Sequence, residues 1–154
     1  MTETSGRFFV THVDSNSAIL KDVFDGGVYS VEDSSSIEPN QVVECTLKAV
    51  PPMLVTWEFQ TIQTQWSLDI EYNSTPPATQ ARSLAKDGSP GELIQEPLER
   101  EGELHVLPVP ESETDAIVDD IIADEATRVR AARMESNRVE VRSQPGLITI
   151  RYQR

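Results

Sequence analysis

LVTWEFQTIQTQWSLDIEY, residues 54–72, changes phase partway along its length. Val55, Trp57 and Phe59 alternate on one parity, whereas Ile62, Trp66, Leu68, Ile70 and Tyr72 keep the other. Neighbouring side chains of a strand point to opposite faces, so one unbroken strand would turn one of these sets to solvent. A bulge, bend or turn between Gln60 and Gln65 lets both face an interior. The sequence upstream is equally strand-like, with short alternating runs at 7–13, 17–23, 27–32 and 41–50. Asp14-Ser15-Asn16 and Asp25-Gly26-Gly27 tolerate positive φ and predict two tight connections, hence a three-stranded meander. Five strands, one of them bent, predict a small antiparallel β-barrel of OB or SH3 type over residues 1–73.

Downstream the pattern changes. Residues 74–101 read as a partly helical connector: Pro76-Pro77 opens a short helix from Ala78 to Lys86, Asp87-Gly88 ends it, and Pro90 and Pro97 break up the remainder. Residues 102–154 read as a compact module. Leu104 and Val106 mark a strand closed by Pro108 and Pro110, and Ser112 with Asp115 resembles a capping box. Val118, Ile121, Ile122, Ala126, Val129 and Ala132 keep helical spacing; Asp124 can cap a second helix, so 112–135 is one helix or two. Strands at 138–143 and 147–152 flank Gln144-Pro145-Gly146, a turn in which Pro presets φ and Gly accepts a positive one. The fold class is therefore α+β: a barrel, then a strand–helix(–helix)–hairpin module.

Charge is segregated along the chain. Residues 128–154 hold seven of the ten arginines against two acids, a net +5, while residues 1–127 hold six basic residues against 24 acids, a net −18. Only three lysines occur. Abundant carboxylates with scarce lysine suit a protein kept soluble in concentrated salt, where self-repulsion is screened. The single cysteine, Cys45, excludes an intrachain disulfide or a thiolate metal cluster and reads as a small buried strand residue. No basic-then-apolar leader and no long apolar run is present, so a cytoplasmic location without membrane association is expected. Asn73-Ser74-Thr75 matches a glycosylation sequon, read as chance without an export signal.

Several strings together carry a family likeness: Pro51-Pro52-Met53 with Val55-Thr56-Trp57-Glu58, His105 to Pro110, Asp124-Glu125-Ala126-Thr127, Arg130 to Arg133, and Arg138 to Ser143 with Arg151-Tyr152 beyond. They resemble a family of small acidic proteins of halophilic archaea that carries a domain of unknown function. The resemblance runs from Gly6 to Tyr152 and implies a salt-rich archaeal cytosol. It assigns no catalytic or binding residue.

The arginines give the functional lead. If Val139, Val141, Ile148, Ile150 and Tyr152 face a core, then Arg138, Arg142 and Arg151 share the opposite sheet face, with Arg130 and Arg133 as further candidates. Such a face would bind an acidic protein surface, or structured RNA through the same face and the barrel. The competing reading pairs these arginines with the chain's own acids and with helix C-termini. Trp57 and Trp66 are candidate stacking platforms, although their parity with aliphatic neighbours suits a core. His12 and His105 lie outside any metal-ligand spacing, and no phosphate loop, nucleophile elbow or dinucleotide fingerprint occurs. A cofactor-free, non-catalytic interaction module is expected; a carboxylate and histidine enzyme is a further alternative, because such sites leave no local motif.

Overall fold

The computed structural model describes residues 2–86, 88–98 and 102–154. They divide into two compact units, residues 1–68 with 128–133 and residues 69–127 with 134–154.

The first unit is built on five strands: β1 (Glu3–Val13), β2 (Ala18–Asp22), β3 (Val28–Val31), β4 (Gln41–Ala49) and β5 (Trp57–Ser67). They close into a ring in the order β1-β2-β3-β5-β4, because β4 also pairs with β1. The meander β1-β2-β3 forms at the predicted turns. Asp14 N–H donates to the Ser17 carbonyl at 2.7 Å, and Gly26 adopts φ +77° in a connection whose Phe24 N–H is held by the Asp22 carboxylate. Phe8, Val10, Leu20, Val31, Val43, Cys45 and Leu47 fill the ring. Tyr29 packs edge-on against both Phe8 and Trp57, at centroid distances of 5.4 and 5.2 Å. Each such contact adds about 0.5–1.5 kcal/mol beyond buried area.

The phase change in 54–72 has two physical parts. The β4–β5 register shifts between Glu44 and Cys45 and again between Thr46 and Leu47, leaving Gln63 and Gln60 of β5 as the extra residues. The Gln60 bulge lets Trp57, Phe59 and Ile62 all pack on the ring core, whereas the Gln63 bulge reverses the parity again, so Trp66 lies with Val42 on the opposite face and not with Ile62 as its spacing predicts. The second part departs from the expected single strand: residues 69–72 form β6 (Asp69–Tyr72), which pairs in the other sheet. At the start of the segment, Leu54 and Val55 belong to a loop and not to a strand, since Leu54 takes φ +56°.

The second unit holds a five-stranded sheet in the order β6-β9-β10-β8-β7, where β7 is Ile94–Pro97, β8 Gly102–Pro108, β9 Arg138–Gln144 and β10 Leu147–Gln153. β6 runs parallel to β9 and every other pairing is antiparallel. The connector segment thus supplies an edge strand as well as helix α1 (Thr79–Ala85), which packs Ala81, Leu84 and Ala85 against Leu104, Val106 and Leu147. Asp87, expected to help end this helix, lies outside the described residues. Helix α2 (Thr114–Ala123) packs against β6, β9 and β10. The capping box at Ser112 does not form: residues Glu111–Glu113 make a 3-10 turn, and the Thr114 hydroxyl donates back to the Pro110 and Glu111 carbonyls at its start. Helix α3 (Glu125–Arg133) is separate from α2. Asp124, extended at ψ 128°, breaks the path and accepts from Ala126 N–H at 3.0 Å. The β9–β10 hairpin turns on Pro145 and Gly146, the latter at φ +88°.

Candidate functional site

Alternation along β9 and β10 determines which side chains meet. Val139, Val141, Ile148, Ile150 and Tyr152 are buried on one face. The intervening residues share the other, and register sets Arg138 opposite Gln153, Glu140 opposite Arg151 and Arg142 opposite Thr149. The three sheet arginines therefore occupy one face, as the spacing predicts.

Two of them are bound to carboxylates of their own unit. Arg138 Nε donates to Glu71 Oε1 on β6 at 2.8 Å, and the Arg138 guanidinium is held charged first by that hydrogen bond and then by the Glu71 charge. Arg142 Nε donates to Glu140 Oε1 at 2.8 Å, while Asn73 Nδ2 donates to Glu140 Oε2 at 3.1 Å. Burial alone would raise the Glu140 pKa. The Asn73 hydrogen bond and the Arg142 charge outweigh it and hold the carboxyl below its ordinary value. With both Glu140 oxygens engaged, the residue opposite Arg151 is not its partner. Among the described residues the Arg151 side chain has no hydrogen bond or ion pair, although it is half-buried.

Arg151 instead lines an open cleft of about 590 Å³. Arg138 and Arg154 line it too, along with the amides of Gln80, Asn137 and Gln153, the Glu96 carboxylate and an apolar wall of Pro97, Leu98 and Leu104. Arg154 is 3.5 Å from Glu135. This volume is in the range of ligand-sized clefts, and its apolar wall with converging donors suits a carboxylate or another planar anion. Sequence reasoning did not find Gln80, Glu96 or Leu98, which lie in the connector and carry no motif. It also missed Glu71 as a partner of Arg138, a pairing 67 residues apart that only the parallel β6–β9 register creates.

The remaining candidates go elsewhere. Arg130 and Arg133 lie on α3 with the first unit; Arg133 is exposed, and its backbone carbonyl accepts from Arg7. Trp57 is half-buried and built into the ring packing, while Trp66 is half-buried opposite Val42. His12 is exposed on β1 beside a bulge at Thr11. His105 is buried in β8, edge-on to Tyr152 at 4.8 Å and 3.8 Å from Glu103. Among the described residues no three His, Cys, Asp or Glu side chains gather as a metal-ligand group, and no helix is long and apolar enough to cross a membrane.

The chain belongs to a family of unknown function, DUF5812, whose model matches residues 4–143. No curated protein and no solved structure matches it.

Proposed function

We propose that this DUF5812 protein is a non-catalytic interaction module whose second unit takes an acidic segment of a protein partner into the Arg151 cleft. The observation that carries this reading is the contrast on one sheet face: Arg138 and Arg142 are bound to Glu71 and Glu140, whereas Arg151, half-buried at the cleft wall, has no such partner among the described residues. Holding an unneutralised guanidinium partly out of water is unfavourable unless an anion meets it. A planar carboxylate matches its donor fork, and the amides of Gln80, Asn137 and Gln153 can take further acceptors.

The first unit supports a barrel of the OB type in preference to an SH3-like one. Its strands do not simply succeed one another round the ring: β4 returns to β1, and β5 lies between β4 and β3 with a parallel β3–β5 contact at Val31 and Trp57, a Greek-key arrangement. The acid excess, with only three lysines, suits a salt-rich, archaeal-type cytoplasm.

Affinity capture from native cells at about 2 M KCl, with and without nuclease, tests the reading. The expected result is a nuclease-resistant partner that the parent chain retains and Arg151→Gln loses at an unchanged melting temperature. Retention by Arg151→Gln refutes the cleft reading, and release by nuclease replaces the protein partner with RNA.

A further inference from the structure

We infer that the β4–β5 loop, residues 50–56, is a docking knob for a partner protein surface that is apolar and rimmed by Lys or Arg. Three consecutive large apolar side chains point into water there: Met53 is 74% exposed, Leu54 47% and Val55 70%. Single exposed apolar residues are ordinary, but a contiguous set at a loop tip marks a contact surface. The loop is tied. Val50 N–H donates to the Thr56 carbonyl at 2.9 Å across the neck, Leu54 N–H donates to the Val50 carbonyl at 3.0 Å, and the Thr56 hydroxyl donates to Glu32 Oε1 at 2.9 Å.

Leu54 occupies φ +56°, a left-handed conformation that disfavours a residue with a Cβ by about 1–2 kcal/mol. The apolar tip is therefore held outward against local preference, in a conformation the neck hydrogen bonds maintain. A surface ordered beforehand loses little conformational freedom on docking.

Charge at the base selects the partner. Lys48 stands in register between Glu3 on β1 and Glu58 on β5, and Glu32 is bonded to the loop through Thr56, so three carboxylates and a single lysine lie at the base of the loop. That collar repels nucleic-acid phosphate and anionic lipid headgroups, and it favours an apolar hollow with a basic rim. This surface belongs to the ring and is independent of the arginine cleft.

The test monitors backbone amide shifts of the full chain at about 0.5 M KCl, which suppresses diffuse attraction to its net charge. Three peptides of about five helical turns serve as probes: one with Leu on one face and Lys on the other, one with Ser replacing each Leu, and one with Glu replacing each Lys. The Leu/Lys peptide should perturb residues 50–56 selectively. Met53→Ser with Val55→Ser should weaken that binding about tenfold or more at an unchanged melting temperature, as loss of two buried apolar side chains requires. If the double variant melts early, Val55→Ser alone provides the comparison. Equal binding of the Ser/Lys peptide, perturbation centred away from 50–56, tighter binding to anionic vesicles or an oligonucleotide, or self-association through this loop would each overturn the inference.

Discussion

Arg7 on β1 closes the C-terminal end of α3 by donating to the Ala132 carbonyl, 125 residues later in the chain, at 3.1 Å. The same nitrogen reaches the Arg133 carbonyl at 3.0 Å, and the other terminal nitrogen lies 3.5 Å from Glu44. Carbonyls of a last helical turn lack intrahelical donors and carry the negative end of the dipole, so a guanidinium satisfies both needs. Parity turns Arg7 and Phe9 to the outside of the ring, yet Phe9 and its register partner Val42 are buried. The last turns of α3, counted with this unit, are anchored on that face by Arg7.

Replacing Arg7 with alanine should lower unfolding free energy by about 2–3 kcal/mol, since a largely buried charged donor is removed and two carbonyls lose it. Arg7→Lys should recover part of this, because one ammonium supplies charge without the fork. Urea unfolding of the three proteins measures the difference. A loss below about 0.5 kcal/mol would place the anchoring elsewhere.

The sheet face predicts unequal arginines. Arg142→Gln leaves the buried Glu140 carboxylate with Asn73 alone and should reduce stability by about 1–3 kcal/mol. Arg138→Gln breaks a largely exposed pair that solvent already screens and should cost much less. Arg151→Gln breaks no pair. The three melting temperatures should rise in that order, and an Arg151 variant as damaged as the Arg142 one would contradict the geometry.

Glu140 gives this face a pH signature. Its native pKa is depressed, so the unfolded state takes up the proton first as pH falls. Its contribution is complete above the ordinary glutamate value near 4.5 and disappears as pH drops through the lower native value. Glu140→Gln should flatten this part of the acid limb. Arg142→Gln should move it towards higher pH, because charge and hydrogen bond from Arg142 both vanish. Stability measured from pH 3 to 6 in the two variants reads this directly, and an acid limb identical to the parent's in both contradicts it.

Cys45 lies inside the ring, where burial pushes its thiol up to about 12. A raised native pKa means that the unfolded thiol ionises first, so its share of stability is complete below the ordinary cysteine value near 9.0 and is lost as pH rises towards about 12. Alkylation at pH 8 should be negligible in the native protein and should appear along the urea transition. Rapid native labelling would show an open ring.

Regularities of short range were legible in the sequence. The one-residue phase change between Phe59 and Ile62 identified the bulged β5 because strand period is fixed, and Pro145-Gly146 identified the hairpin because few residues fit that turn. Features that escaped reading depend on partners distant in the chain. Ile70 and Tyr72 keep the parity of Ile62, so nothing local reports that β6 leaves the ring to run parallel with β9. The pairing of Arg138 with Glu71 results from that departure and was equally hidden. Leu54 reads as a strand residue because leucine carries no signal for positive φ; its conformation is imposed by the loop neck.

Salt should stabilise this protein, and a comparison of magnitudes fixes the direction. Raising KCl weakens exposed pairs such as Arg138–Glu71 and Arg154–Glu135, which solvent already screens and which contribute little. It also screens the mutual repulsion of 26 acids against 13 basic residues, an interaction that acts between all carboxylates within a Debye length of about 10 Å at 0.1 M. With a formal net charge of −13 on 154 residues, repulsion involves many more pairs than the few attractive contacts, so its relief prevails. Scanning the melting temperature from about 0.1 to about 2 M KCl should therefore give a rising curve. A flat or falling one would show that the acids are already compensated within the fold, and the salt-rich setting proposed for the protein would have to be abandoned.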